Sequence, residues 1–136
     1  MKKTIKRIVV ILVVLLVLCC AVLTLDTELR VKLFVAANGS DIVSSYQNHG
    51  SVPASIGYKY YNLWEGSHDM LEFILFSRGD TYYGCYFSFD DVPLAFQNID
   101  IELTSEREGW HWTAEGDNHG YTKRLAPGWY YFKASF

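Results

Sequence analysis

Residues 8–25 read IVVILVVLLVLCCAVLTL, eighteen positions without a charge and with Thr24 as the one strongly polar side chain. At about 1.5 Å of helical rise per residue the run reaches roughly 27 Å, close to the roughly 30 Å hydrocarbon core of a bilayer once flanking side chains snorkel. A soluble fold in a chain of 136 residues would have to wrap this run on every side. Ile8 to Leu25 is therefore read as a helix in the lipid bilayer, and the remainder as one small domain attached to it. Residues 1–25 form a basic tip and anchor, and residues 26–136 form the domain.

The charge is divided about the same run. Lys2, Lys3, Lys6 and Arg7 place +4 ahead of it, whereas residues 26–136 carry 8 basic against 15 acidic side chains, a net charge of −7. Cytoplasmic flanks of membrane helices are enriched in Lys and Arg, so the N-terminus is expected in the cytoplasm and the acidic domain outside. Without a basic stripe such a domain cannot release counterions from phosphates, which sets nucleic acid aside as a partner.

A cleaved signal peptide also begins with basic residues and an apolar run. Here the run exceeds the roughly 7 to 15 residues of a typical signal core, and only Ala21 offers a small side chain near its end. Cys19-Cys20 lacks the small preceding residue of a lipoprotein site. A retained anchor is the preferred reading, with cleavage or lipidation as the alternatives. Cys85 is the only cysteine beyond residue 25, so the domain has no internal disulfide, and the thiol is expected as a small apolar core residue.

After the anchor, Leu29, Val31, Leu33, Val35, Ala36, Ile42, Val43 and Tyr46 fall on one broad arc, opposed by Arg30, Asn38, Asp41, Ser45 and Asn48. An amphipathic helix from Thr27 to about Asn48 follows, although Lys32 and Phe34 break the pattern. Asn38-Gly39 is also a strong hairpin signal, and a hairpin is the competing reading. The apolar arc resumes on the same side after Gly39, which favours the helix.

Gly50 to Gly57 is expected as a connector, followed by short aromatic runs separated by turn residues. Tyr58–Trp64 is expected as an edge strand and Met70–Ser77 as a central one. Arg78-Gly79-Asp80 is read as a hairpin turn rather than a recognition tripeptide. Thr81–Phe89 returns, with Tyr83, Cys85, Phe87 and Phe89 on one face and Tyr82, Tyr86 and Ser88 on the other. Ile99, Ile101 and Leu103 alternate with polar residues as a strand, Trp110–Ala114 follows a turn, Glu115–Gly120 is a polar turn, and Trp129–Phe136 closes the chain. The fold class is α+β: an N-terminal transmembrane helix, then one amphipathic helix packed on an antiparallel sheet of four to six strands, in a cystatin-like or nuclear-transport-factor-like layout.

Tyr83-Gly84-Cys85-Tyr86-Phe87-Ser88-Phe89-Asp90-Asp91-Val92-Pro93, Gly116-Asp117-Asn118 and Trp129-Tyr130-Tyr131-Phe132 resemble stretches of small single-pass membrane proteins of Gram-positive bacteria, a group without assigned catalytic residues. The resemblance covers only the C-terminal part of the chain. It implies a bacterial, membrane-tethered domain and no activity.

The densest polar cluster is His111, Glu115, Asp117 and His119. It lacks the spacing that forces ligands together, and the turn is expected to keep the two histidines on different sides, so no metal ligand is assigned. No nucleophile motif or Gly-rich phosphate loop occurs. No catalytic residue or cofactor site is assigned, and an enzyme is the least favoured class. All 22 aromatic residues lie in residues 26–136. Trp110, Trp112, Trp129 and Tyr131 alternate at strand spacing, which suits either a core or a face that stacks on sugar rings. The core reading is preferred. The expected function is a protein-interaction or accessory module of the cell envelope, with an envelope or secreted protein as partner; a glycan- or small-ligand-binding module is the alternative.

Overall fold

The computed structural model describes residues 2–54 and 57–136, so residues 55–56 of the expected connector lie outside the described residues. The chain divides into two compact units, residues 1–30 and 31–136. Helix α1 spans Lys2–Leu25. Among the described residues it holds the one stretch, Thr4–Ala21, long and apolar enough to cross a membrane, a property that signal sequences share.

Helix α2 spans Thr27–His49. Asp26 caps it, its carboxylate accepting the Leu29 N–H at 2.9 Å, which satisfies one of the backbone donors a helix start leaves open. Gly50 ends it at φ +63°, its N–H bonding the Tyr46 carbonyl at 2.8 Å. The buried line is Val31, Val35, Gly39 and Ile42. Gly39 therefore sits inside the helix and the hairpin alternative falls. A Cβ at Gly39 would lie 3.1 Å from the Trp129 indole nitrogen, so glycine is what lets the helix approach the sheet there. The arc differs from the expected one at three places. Leu33 and Ala36 are exposed, and Phe34 turns inward with its ring 6.2 Å from that of Phe73.

Among the described residues seven strands follow: β1 Tyr60–Trp64, β2 Met70–Arg78, β3 Thr81–Ser88, β4 Thr104–Glu106, β5 Gly109–Thr113, β6 His119–Ala126 and β7 Trp129–Ser135. They form one antiparallel sheet in the order β1-β2-β3-β7-β6-β5-β4. The expected count of four to six is thus corrected to seven. The strand left out is β6, whose His-Gly-Tyr-Thr-Lys-Arg carries few apolar residues because its neighbours supply the packing. A second correction concerns Ile99–Leu103, which is extended but unpaired; the strand begins only at Thr104. Alternation there reports which side chains face the core, Ile101 and Leu103, and not a hydrogen-bonded ladder. Gly79-Asp80 makes the β2–β3 hairpin, with Arg78 paired to Thr81 and Gly79 at φ +57°, so the tripeptide is a turn.

Strand β3 is third in the sheet and β4 is seventh, so the chain between them must cross a face. It takes the one opposite α2. Residues 89–103, here called the strap, lay Leu94, Ala95, Phe96, Ile101 and Leu103 on Met70, Ile74, Tyr86, Trp112, Tyr130, Phe132 and Ala134. On the other face, Val31, Val35 and Ile42 of α2 cover Leu71, Phe73, Cys85, Trp129 and Tyr131. The sheet is cored on both sides, which is why Met70 to Ile74 are buried without interruption.

Candidate functional site

The polar chemistry of the domain is concentrated under the strap. Glu72 lies mid-strand in the run MLEFIL and is 0% exposed. Alternation along β2 sends it to the strap face, where one carboxylate oxygen accepts the Trp64 indole N–H at 3.1 Å and the other accepts the Gln97 backbone N–H at 2.9 Å. Gln97 presents that N–H from a left-handed conformation, φ 57°. Burial outweighs both donors and pushes the Glu72 carboxyl up to about 7. The neighbouring Asn98 side chain donates to the His68 carbonyl at 2.8 Å, tying the same bend to the β1–β2 connection.

Two further ties hold the strap. Leu94 N–H donates to the Tyr86 hydroxyl at 2.8 Å, that hydroxyl lies 2.7 Å from the Thr122 hydroxyl, and Thr122 donates to the Tyr131 carbonyl at 2.9 Å. Burial raises the Tyr86 phenol above its ordinary range. Near the strap's start, Asp91 binds the Arg124 guanidinium with both oxygens, takes the Gly128 N–H at 2.9 Å, and through its carbonyl accepts the Tyr130 hydroxyl at 2.9 Å. Arg124 and the Gly128 amide hold the Asp91 carboxyl down at about 2. Among the described residues no buried side-chain nitrogen or oxygen lacks a partner. Donors and acceptors matched this fully make a fastening.

Beside the strap lie two small recesses. One, of about 290 Å³, runs between Gly66-Ser67 and the strap residues Pro93–Ala95 and Asn98–Ile101. The other, of about 300 Å³, is bounded by Tyr60, Tyr82, Phe96, Gln97 and Phe136.

The expected aromatic face divides between the two cores. Trp129 and Tyr131 are buried under α2, and Trp112 is buried under the strap with Trp110 half-buried beside it. The four side chains present no common surface. Cys85 is fully buried, and burial pushes its thiol up. His111 on β5 and His119 on β6 flank the turn and stand on one sheet face, because Thr113 pairs with His119 and His111 with Tyr121. They line a shallow depression of about 430 Å³ with Thr113, Gly116 and Asp117. His119 Nδ1 is engaged by the Asp117 carbonyl at 2.7 Å. Among the described residues no group of three or more His, Cys, Asp or Glu is placed to hold a metal ion.

Glu72, Tyr86, Asp91 and Arg124 escaped the reading of the sequence. A lone carboxylate within five apolar neighbours was the one available signal, and it marks Glu72 alone.

No protein-family model matches the chain, and no characterised protein or solved structure matches it either. The architecture by itself defines an α+β protein with an apolar N-terminal helix.

Proposed function

We propose that this is a single-pass membrane protein of the bacterial envelope. Its N-terminus is cytoplasmic, and residues 26–136 form an extracytoplasmic interaction or accessory domain that binds an envelope or secreted protein. The observation that carries the reading is the uncharged stretch within Thr4–Ala21 preceded by four basic residues and followed by an acidic domain. Both sheet faces are occupied, so the surfaces left for a partner are the sheet's margins and the outer sides of α2 and the strap. A stacking site for glycan draws no support from tryptophans divided between two cores.

The test is fractionation of cells expressing the full chain. Expected is retention in membranes after an alkaline carbonate wash, and digestion of a C-terminal tag by protease added to intact protoplasts. Release by the wash, or a tag protected until lysis, refutes the topology and with it the reading.

A further inference from the structure

The two margins of the sheet are unlike. β4 is three residues long, fully exposed, and surrounded by Glu102, Arg107 and Glu108, the usual protection of an edge against pairing. β1 is five residues long, neutral and aromatic, YYNLW, with Tyr60 46% and Leu63 40% exposed. Among the described residues it is paired with a strand on one side only.

The hydrogen-bond phase of β1 follows from the strands behind it. Phe89 N–H bonds the Asp69 carbonyl at 3.2 Å, so the odd residues Asp69, Leu71 and Phe73 direct their backbone groups toward β3. The even residues Met70, Glu72 and Ile74 then face β1, as the Lys59 N–H on the Ile74 carbonyl at 2.9 Å also requires. Their partners are Trp64, Asn62 and Tyr60. Tyr61 and Leu63 are left with N–H and C=O directed away from the sheet, two donors and two acceptors in a row.

We infer that β1 pairs with β1 of a second copy of this chain, antiparallel and two-fold symmetric about Asn62, joining two sheets into one. The sequence around the strand, Lys59-Tyr-Tyr-Asn-Leu-Trp-Glu65, is complementary to its own reverse in that register. Tyr61 and Leu63 of one copy exchange backbone bonds with Leu63 and Tyr61 of the other, so all four outward groups are satisfied. Tyr60 stands opposite Trp64 and Tyr61 opposite Leu63, each a favourable cross-strand pair. Just beyond the strand's two ends the exposed Lys59 of one copy comes to the exposed Glu65 of the other, a charge pair that Lys59 makes by leaving its 3.1 Å bond to the Ser77 hydroxyl. Centring the pair on Tyr61 instead leaves Lys59 facing Leu63, and centring it on Leu63 leaves Glu65 facing Tyr61. Charge complementarity therefore selects the Asn62 axis. The interface is isologous and closes at two copies, since each chain has one such edge.

This deepens the interaction reading by naming the partner, and its test is independent of which side of the membrane the domain occupies. The full chain is expressed in membranes with Cys19→Ala and Cys20→Ala, leaving buried Cys85 as the only native thiol. Asn62→Cys places two thiols across the axis in a non-hydrogen-bonded pair, about 4.5 Å between Cα atoms and within disulfide reach. Leu63→Cys places them about 8 Å apart, beyond it. Mild oxidation is expected to give a covalent dimer with Asn62→Cys and monomer with Leu63→Cys. Adding Lys59→Glu is expected to lower the Asn62→Cys dimer yield roughly tenfold by setting like charges opposite each other at two places, and Lys59→Glu with Glu65→Lys to restore it. Monomer with Asn62→Cys, equal yields at the two positions, or a double charge exchange that does not restore the dimer each overturns the pairing. Carbonate retention of the same samples keeps that failure separate from failure of the membrane reading.

Discussion

The buried Glu72 sets a pH dependence of stability opposite in sign to ordinary acid denaturation. Its carboxyl stands at about 7 in the fold against a reference value of 4.5. The folded state thus holds the proton more tightly than the unfolded chain does. The protonated side chain's contribution is complete below about pH 4.5, falls as pH rises, and is gone above about 7. The difference between 4.5 and about 7, at about 1.36 kcal/mol per pH unit, amounts to about 3 kcal/mol, or roughly 12 °C in Tm for a domain of this size. Asp91 has the opposite sign, being held at about 2, but it acts only below its ordinary value of 3.8 and does not enter this window. The assay is thermal or denaturant unfolding followed by near-ultraviolet circular dichroism, since every aromatic residue reports on residues 26–136. Glu72→Gln provides the control. It cannot ionise, and its amide sets a donor against either the Gln97 or the Trp64 N–H, costing about 1 to 2 kcal/mol at low pH. Its stability is expected to be level between pH 5 and 8. A wild-type stability that is flat or rises across that interval, or an equal slope in the Gln variant, refutes the assignment of the dependence to Glu72.

Tyr86→Phe removes the hydroxyl between Leu94 and Thr122, and is expected to cost about 2 kcal/mol in denaturant unfolding and to speed hydrogen exchange at the Leu94 amide. Asp91→Asn loses the Arg124 pair and is expected to remove the stability loss between pH 3.8 and about 2 that the wild type shows in acid titration. Gly39→Ala trades a helix-propensity gain of about 1 kcal/mol against contact with Trp129 at 3.1 Å and is expected near neutrality, whereas Gly39→Leu is expected to cost about 3 kcal/mol and shift Trp129 fluorescence to the red. Gly84→Ala, whose Cβ would overlap the Phe73 carbonyl oxygen, is expected to prevent folding, as judged by loss of the near-ultraviolet spectrum.

Much of the architecture was readable from local pattern, and the exceptions have identifiable causes. The period of Val31, Val35 and Ile42 outweighed the Asn-Gly turn signal because three buried contacts along one line stabilise a helix more than one glycine weakens it. The two faces of β3 were legible because a strand buried on one core and then the other still alternates strictly. β6 was not, since Gly120 lies under the Trp112 indole and contributes no apolar side chain of its own. Ile99–Leu103 shows the converse: alternation survives in an extended strap that makes no ladder. The fastening under the strap was illegible for another reason. Glu72 meets Gln97 across 25 positions and Asp91 meets Arg124 across 33, and no local spacing encodes such encounters.

The aromatic richness that first suggested a ligand face follows from topology. A seven-stranded sheet crossed on one side by a helix and on the other by a strap has two interiors to fill, and only residues 31–136 with which to fill them. Large flat rings fill such interiors with few residues, and their arrangement bears this out: Tyr86 stacks on Tyr130 under the strap at 5.1 Å, while Phe73 meets Trp129 under α2 at 6.0 Å. Once the rings are spent on two cores, neither sheet face is left open, and the proposed pairing falls where the backbone itself is unsatisfied. Of the two places where the sheet ends, one is short and charged. The other carries Tyr61 and Leu63 with their hydrogen-bonding groups turned outward, between a lysine and a glutamate placed to meet their counterparts in another copy.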